Sequence, residues 1–337
     1  MLLPDARIAP LRGGTVLRWG VLAPGRIATD WVRTVRANTD QRVVAVASRS
    51  LERAEAFAAE HSIARAYGGY DGLLAHPDID VVYIAAPHSE HRDLALRAIA
   101  AGKNVLIEKP IALNAAEARE IAAAARAAGV FAMEAMKARF TPQTDVIARL
   151  LADGALGEVL AVSADSGARF EYDPASRAFD PALGGGALLD LGVYPLWFSH
   201  FVLGAPARVT ARGTLAPTGV DDQAALVLEF ASGAQSTIAT SMRVATPQTA
   251  TISGTRARIE ITGPFHSPGA LRVVEGTDVT EWRDSTGLVG REGLCFQVAA
   301  AAQAVGDGLT ESPQHTLDDA VAVLAVIDEA REQLAAR

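Results

Sequence analysis

Along the first 137 residues, short apolar runs alternate with stretches whose apolar positions recur at helical spacing. LRWGVLAP at residues 17–24 predicts a strand and a turn. Residues 26–38 predict a helix with Ile27, Trp31, Val32 and Val35 on one face. Val43–Ala47 predicts a second strand, and Leu51–His61 a helix of good helix formers. Further strands are predicted at Asp80–Ala85, Asn104–Ile107 and Val130–Met133, with helices over Arg92–Ala101 and Ala115–Ala128. Strands alternating with helices imply an α/β architecture with a right-handed, parallel, doubly wound sheet.

The rhythm changes near residue 140. Thr141–Asp153 reads as one more helix, and Val159–Gly167 starts a different pattern. From Ala207 to Glu281 the runs RVTARGTL, AALVLEF, QSTIATSM, TATISGT, ARIEITG and LRVVEG are parted by short Gly/Ser/Asp turns. They predict a large, mostly antiparallel sheet, followed by a last helix over Leu317–Leu334. The expected organisation is a loose extension over residues 1–16, one domain over 17–137 and a second over 138–337.

Composition narrows the function. Half the residues are hydrophobic and 21% are charged, as in a globular protein, and the net charge of −8 argues against a general nucleic-acid surface. Cys295 is the only cysteine, which excludes an intrachain disulfide and a thiolate metal cluster and suits a reducing cytoplasm. No apolar run approaches the ~18 residues of a membrane span, and the first sixteen residues, with Pro4, Pro10, Gly13 and Gly14, lack the apolar segment of a signal peptide. The expected setting is the cytoplasm, with neither nucleic acid nor membrane as partner.

Asn104–Pro110, NVLIEKP, carries the first chemical signal. A buried strand that stops on Glu108 and Lys109 is placing a lysine, a residue costly to bury without a partner. Pro110 restricts the lysine's backbone. Ligands of open α/β sheets sit beyond the carboxyl ends of strands. A fixed ammonium there suits chemistry on an oxygen or a negative charge.

The turn Ala23-Pro24-Gly25-Arg26-Ile27-Ala28 follows the first strand. Against the pattern G-x-G-x-x-G/A, Gly25 takes the central position, where a side chain would block a pyrophosphate. Ala28 takes the third, and Ala23 departs from the first. A helix starting near Arg26 offers amides and a positive dipole end to phosphate. Glycine turns also serve packing, so the turn alone leaves both readings open. Ser48 and Arg49 stand where NAD enzymes keep an acid for the ribose diol, and Arg53 follows one helical turn later. Two guanidiniums can pair a 2′-phosphate, which favours NADP over NAD. Read as solvated helix-start residues, they carry no such preference.

Ala85–His91, AAPHSEH, has small residues that let backbone approach a nicotinamide ribose. There Ala86 and His88 border the cofactor and His91 starts a helix. The two histidines lack a third ligand, so no metal is expected. In Gly184–Tyr194, GGGALLDLGVY, Asp190 and Tyr194 share a face if helical, and Pro195 marks a helix start or kink. Facing Lys109 they would form a proton-transfer set. Spacing alone favours a capping acid and a core aromatic.

The segments PGRIA, AAPHSEH, NVLIEKP, EAMKARF and GGALLDLGVY, in this order, resemble the glucose–fructose oxidoreductase/inositol dehydrogenase (Gfo/Idh/MocA) family. Within it the chain looks most like the trans-1,2-dihydrobenzene-1,2-diol dehydrogenase and NADP-dependent D-xylose 1-dehydrogenase branch. The likeness runs from about Arg18 to the last helix and includes GVDD at Gly219–Asp222 and SGT at Ser253–Thr255. It implies a Rossmann domain, then a substrate-binding and oligomerisation α/β domain. It implies Tyr194 as acid/base, Lys109 lowering its pKa and binding the reacting oxygen, and Asp190 orienting substrate. Glu108 and Pro110 shape the turn, with the Lys–Pro bond commonly cis. The expected cofactor is NADP, with NAD as the alternative, held by Ala23, Pro24, Gly25, Arg26, Ile27, Ser48, Arg49, Arg53, Ala86, His88, Glu108 and Lys109.

The expected substrate is a sugar or cyclic diol. Met136, Lys137 and Arg139 are candidate pocket residues, as are Phe170, Tyr172, Arg177 and Phe179 on the loop before the glycine run. A homodimer is expected, with a tetramer as the alternative. Two other functions fit the fold: a non-catalytic nucleotide sensor, and a redox-assisted NAD-dependent glycosidase that keeps its nicotinamide bound.

Overall fold

Apolar strands and amphipathic helices alternate as the pattern predicts in the computed structural model, which describes residues 3–336. Met1 and Leu2 of the expected extension, and Arg337 of the expected second domain, lie outside the described residues. The first half runs β1 (Arg18–Leu22), α1 (Arg26–Asn38), β2 (Arg42–Ser48), α2 (Leu51–Glu60), β3 (Arg65–Gly68), α3 (Asp71–Leu74), β4 (Val81–Ile84), α4 (His91–Ala100), β5 (Asn104–Glu108), α5 (Ala115–Ala128) and β6 (Ala132–Ala135). The second half runs α6 (Pro142–Ala152), β7 (Val159–Gly167), α7 (Val193–Leu203), β8 (Arg208–Leu215), β9 (Asp221–Glu229), β10 (Gln235–Ser241), β11 (Ala250–Gly254), β12 (Arg258–Ile261), β13 (Ala270–Glu275), β14 (Asp278–Arg283), α8 (Leu294–Gly306) and α9 (Leu317–Ala335).

Two compact units result. One comprises Ile8–Lys137 with Arg291–Ala320. The other comprises Ala138–Gly290 with the described residues up to Arg7 and from Val321 on.

In the first unit six parallel strands lie in the order β3-β2-β1-β4-β5-β6. The order reverses between β1 and β4, which opens a ligand crevice at their carboxyl ends. Every residue of β4 is buried, as a parallel strand covered on both faces must be. Trp31 of α1 stacks on Tyr83 of β4 at 4.3 Å between ring centroids and meets the edge of Trp19 at 5.4 Å. These rings anchor α1 beneath the turn that precedes it. Local signals set the helix ends. Ser50 accepts from the Arg53 amide at the start of α2, Asn114 accepts from the Glu117 amide at the start of α5, and Gly129 ends α5 in the left-handed region at φ 65°.

The second unit carries an eight-stranded sheet in the order β14-β13-β12-β11-β7-β10-β9-β8. All its pairings are antiparallel except β7 with β10. Alternation sets its faces: Ala224, Leu226 and Leu228 of β9 are buried, while Gln223, Ala225 and Val227 point outward. The helical stretch Pro181–Leu203, 23 residues, contains an 18-residue window of mean hydropathy 1.3, long and apolar enough to cross a membrane, but 67% of that window is buried, as in a core helix.

Several details differ from the sequence reading. β6 begins at Ala132 rather than Val130, because Val130 and Phe131 turn the chain out of α5, the Val130 amide donating to Ala125 O and the Phe131 amide to Asn104 Oδ1. β3 and β14 escape prediction because they are mostly exposed edge strands without an apolar run. α8 escapes because it is apolar nearly all round and shows no amphipathic period. Its segment, Arg291–Ala320, groups with the first unit rather than with the second, where a linear division placed it. Within the expected extension, residues 12–15 are tied to the first unit. Arg12 pairs with Asp40 at 3.1 Å and donates to Ala37 O, Gly13 N–H donates to Asp40, and Gln41 donates to Thr15 O.

Candidate active site

Three loops meet the carboxyl edge of the parallel sheet: the turn after β1, the loop after β4 and the turn after β5. At the first, Gly25 is the N-cap of α1, and no side chain caps the helix. A β-carbon built on Gly25 would meet nothing within 4 Å, and its φ of −143° suits any residue. Packing and strain therefore do not require glycine here, and the open space leaves room for a pyrophosphate to approach the helix amides. Ala23 sits at φ 57°, the left-handed conformation that glycine would adopt freely, and its amide bonds Ala47 O at 2.9 Å. Alanine keeps the shape of the turn at a cost of about 1 kcal/mol.

Ser48 ends β2 buried, and Arg49 and Arg53 are exposed beside it. Both guanidiniums act on the phenol of Tyr70, over whose ring Arg97 lies at 5.7 Å. Burial nevertheless raises the Tyr70 pKa. A cationic group thus forms beyond β2, and Tyr70 and Arg97 are members that sequence spacing did not reveal. Past β4, His88 is 5% exposed in a short 3-10 turn, its ring 5.7 Å from that of His91. Both ring nitrogens of His91 face carbonyl oxygens, Pro110 O at 2.8 Å and Ala86 O at 2.9 Å, so the neutral ring donates to one of the two loops and the doubly protonated ring to both.

Lys109 follows β5 through a cis Lys109–Pro110 bond, the form the family resemblance implied. Glu108 beneath it is buried, accepts from Tyr83 Oη at 2.6 Å and from the Lys109 amide at 3.3 Å, and has its pKa raised by burial. In the neighbouring strand Ala135 pairs with Glu108, which carries Lys137 to the same sheet edge. Lys137 is 7% exposed; burial first, then Arg291 and Lys109, push its pKa down to about 8. Met136 is fully buried, a packing position.

In the second unit Asp190 lies in a π-helical turn, Leu188–Gly192, that runs directly into α7. The wider turn replaces the regular α-helical spacing expected between Asp190 and Tyr194. Pro195 lies early in α7, where the chain is already helical from the π turn, and its missing amide leaves that continuous helix one bond short. Asp190 is 9% exposed and accepts from Arg177 at 3.2 Å. Tyr194 is half-buried and stacks on His266 at 4.3 Å, and His266 in turn meets Gln248 at 3.0 Å.

The loop aromatics divide. Tyr172 is 47% exposed and touches the edge of Phe179, whereas Phe179 is 4% exposed in an apolar cluster with Ala187, Val220 and Met242, against which Phe170 also packs. Arg139 lies over the Phe201 ring at 4.9 Å. His266 was not foreseen, because a single histidine among Gly and Pro of a sheet turn carries no spacing signal.

Asp221 of the GVDD segment holds the start of this helix. It accepts from the Leu188 amide at 2.6 Å, and a β-carbon on Gly186, which has φ +124°, would lie 2.5 Å from its Oδ1. Burial lifts the Asp221 carboxyl from 3.8 to about 6. Between those values the folded chain keeps a proton that the unfolded chain releases. That contribution to stability is full below pH 3.8 and is lost as pH rises through about 6. Asp221→Asn, which keeps an acceptor, should flatten this dependence by up to about 3 kcal/mol. Urea midpoints at acid and neutral pH would show it; an unchanged slope would count against it.

The parallel sheet with its open phosphate turn defines a dinucleotide-binding protein. Residues 17–136 match the oxidoreductase family with an NAD-binding Rossmann fold, and residues 145–260 match the GFO/IDH/MocA C-terminal domain. The chain belongs to the Gfo/Idh/MocA oxidoreductases. It is 39% identical over 325 residues to trans-1,2-dihydrobenzene-1,2-diol dehydrogenase of Xenopus laevis, covering 94% of this chain and 98% of that protein. Among solved structures it resembles the aldose-aldose oxidoreductase of Caulobacter crescentus complexed with glycerol, with TM-score 0.83, 27% identity, and 94% and 97% of the two chains covered. It also resembles KijD10, a 3-ketoreductase of Actinomadura kijaniata in complex with NADP and TDP-benzene, with TM-score 0.80, 26% identity, and 94% and 98% covered.

Proposed function

We propose that this chain is an NADP-preferring dehydrogenase that oxidises a hydroxyl-bearing carbon of a sugar or cyclic diol, acting in the cytoplasm as a homodimer. The observation that carries the reading is Lys109, fixed at the ligand edge of the parallel sheet by a buried Glu108 with Lys137 alongside. The nicotinamide, when bound, supplies the hydride acceptor. Gly25 and the first amides of α1 would hold its pyrophosphate, Arg49 and Arg53 its 2′-phosphate, and Ala86 and His88 its nicotinamide side.

The remaining roles follow the family likeness. Tyr194 takes the hydroxyl proton, the Lys109 ammonium favours the phenolate and binds the reacting oxygen, and Asp190 with Arg177 orients the substrate. Exposed Ala225, Val227 and Ala239 on the open face of the antiparallel sheet favour cover by a second subunit.

Reduced-nicotinamide absorbance, with NAD⁺ and NADP⁺ offered separately against D-xylose, D-glucose, myo-inositol and a trans-dihydrodiol, tests this reading. NADP⁺ should be preferred, and alanine at both Arg49 and Arg53 should raise its KM by at least about tenfold with little change for NAD⁺. NAD⁺ outperforming NADP⁺ in the unaltered protein would overturn the arginine assignment. Tight NADP binding with no turnover of any of the four substrates would favour a sensor, and monomeric sedimentation would refute the dimer.

A further inference from the structure

The peptide group that follows Pro110 is gripped at both ends. Its carbonyl, Pro110 O, meets His91 Nδ1 at 2.8 Å, and its amide, on Ile111, donates to Glu134 Oε1 at 2.9 Å. Each gripping residue has a second anchor. His91 Nε2 lies 2.9 Å from Ala86 O, in the loop after β4, and Glu134 Oε2 lies 2.7 Å from His315 Nε2. His91, Glu134 and His315 are 0%, 3% and 2% exposed.

A carboxylate buried this deeply is costly unless both oxygens are bonded, and apolar side chains would fill the space at least as stably. With both oxygens bonded, Glu134 fixes the direction of the Ile111 amide. His315 arrives on the segment that groups with the parallel sheet, where Thr310 O accepts from the Ala132 amide and Glu311 accepts from the Leu317 amide. On the other side of Lys109, its own amide is held by Glu108, and Glu108 by Tyr83.

We propose that His91 and the Glu134–His315 pair form a clamp on the Pro110–Ile111 peptide that positions Lys109 against the cofactor-side loop at Ala86. All three are positioning residues, acting through backbone. The inference rests on the reading that Lys109 works at the reacting oxygen, and it adds that Lys109 is aimed by a buried device built from β6 and a distant segment.

The test measures kcat, NADPH affinity and hydrogen exchange at the Ile111 amide in Glu134→Ala, Glu134→Gln and His315→Gln, with and without Lys109→Ala. Glu134→Ala should speed exchange at Ile111 and lower kcat by at least about tenfold, with NADPH affinity within about twofold. Glu134→Gln, which keeps an acceptor for the amide, should recover most of the rate. His315→Gln should fall between them, and it carries the test if Glu134→Ala does not fold. In the Lys109→Ala background Glu134→Ala should change the residual rate by less than about twofold, because its route to the chemistry is gone.

Equal losses in both backgrounds, or full kcat in Glu134→Ala, would overturn the positioning role. Unchanged exchange at Ile111 would overturn the clamp itself. Full turnover in Lys109→Ala alone would instead remove the role of Lys109, while the exchange measurement still decided whether the clamp exists.

Discussion

Lys109→Ala should lower turnover on the true substrate by more than about 100-fold, the scale of a lost acid–base partner. The ammonium is one charge on a turn whose backbone is fixed on both sides, so alanine removes charge and leaves the turn in place. Cofactor affinity should change much less, because the pyrophosphate turn at Gly25 is a separate element. Lys109→Arg should not rescue, since a planar fork does not reproduce a point charge. A second reading accompanies the kinetics. Lys109 is one of the cations that push Lys137 down to about 8, so its removal should raise the Lys137 pKa. Steady-state kinetics and ammonium titration by NMR measure the two effects. Full turnover would remove Lys109 from the chemistry, and a Lys137 titration left unmoved would show that the two ammonium groups are not coupled.

How much of this was legible in the sequence follows from where each signal is stored. NVLIEKP could be read because a lysine at the end of a buried strand breaks a strong pattern, and the structure keeps β5 and its cis turn as expected. Gly25 could be read because the turn sits directly after a strand and before a helix. The partners of these residues could not. Glu134 lies in β6 among apolar neighbours, and His315 stands 181 residues away; no local period connects them. The same holds for His266 beneath Tyr194 and for Tyr70 and Arg97 beside Arg49. Such pairs are set by topology, which brings distant segments to one strand end. α8 shows the converse failure: residues buried on every side lose the amphipathic period that announces a helix.

Tyr194→Phe should also cost more than about 100-fold in turnover, and it isolates one atom. The stack on His266, 4.3 Å between centroids and 19° from parallel, needs only the ring, so phenylalanine keeps that stack. What disappears is the phenolic oxygen that would receive the substrate proton. KM for the substrate should therefore change less than kcat, and the limb of the pH–rate profile assigned to that group should vanish. Asp190→Asn separates orientation from proton transfer. It keeps the shape but weakens the pairing with Arg177, so it should raise KM while leaving that limb in place. If Tyr194→Phe turned over at the unaltered rate, the proton would have to leave by another group. Lys137, 7% exposed and held near a pKa of 8, would then be the first to test.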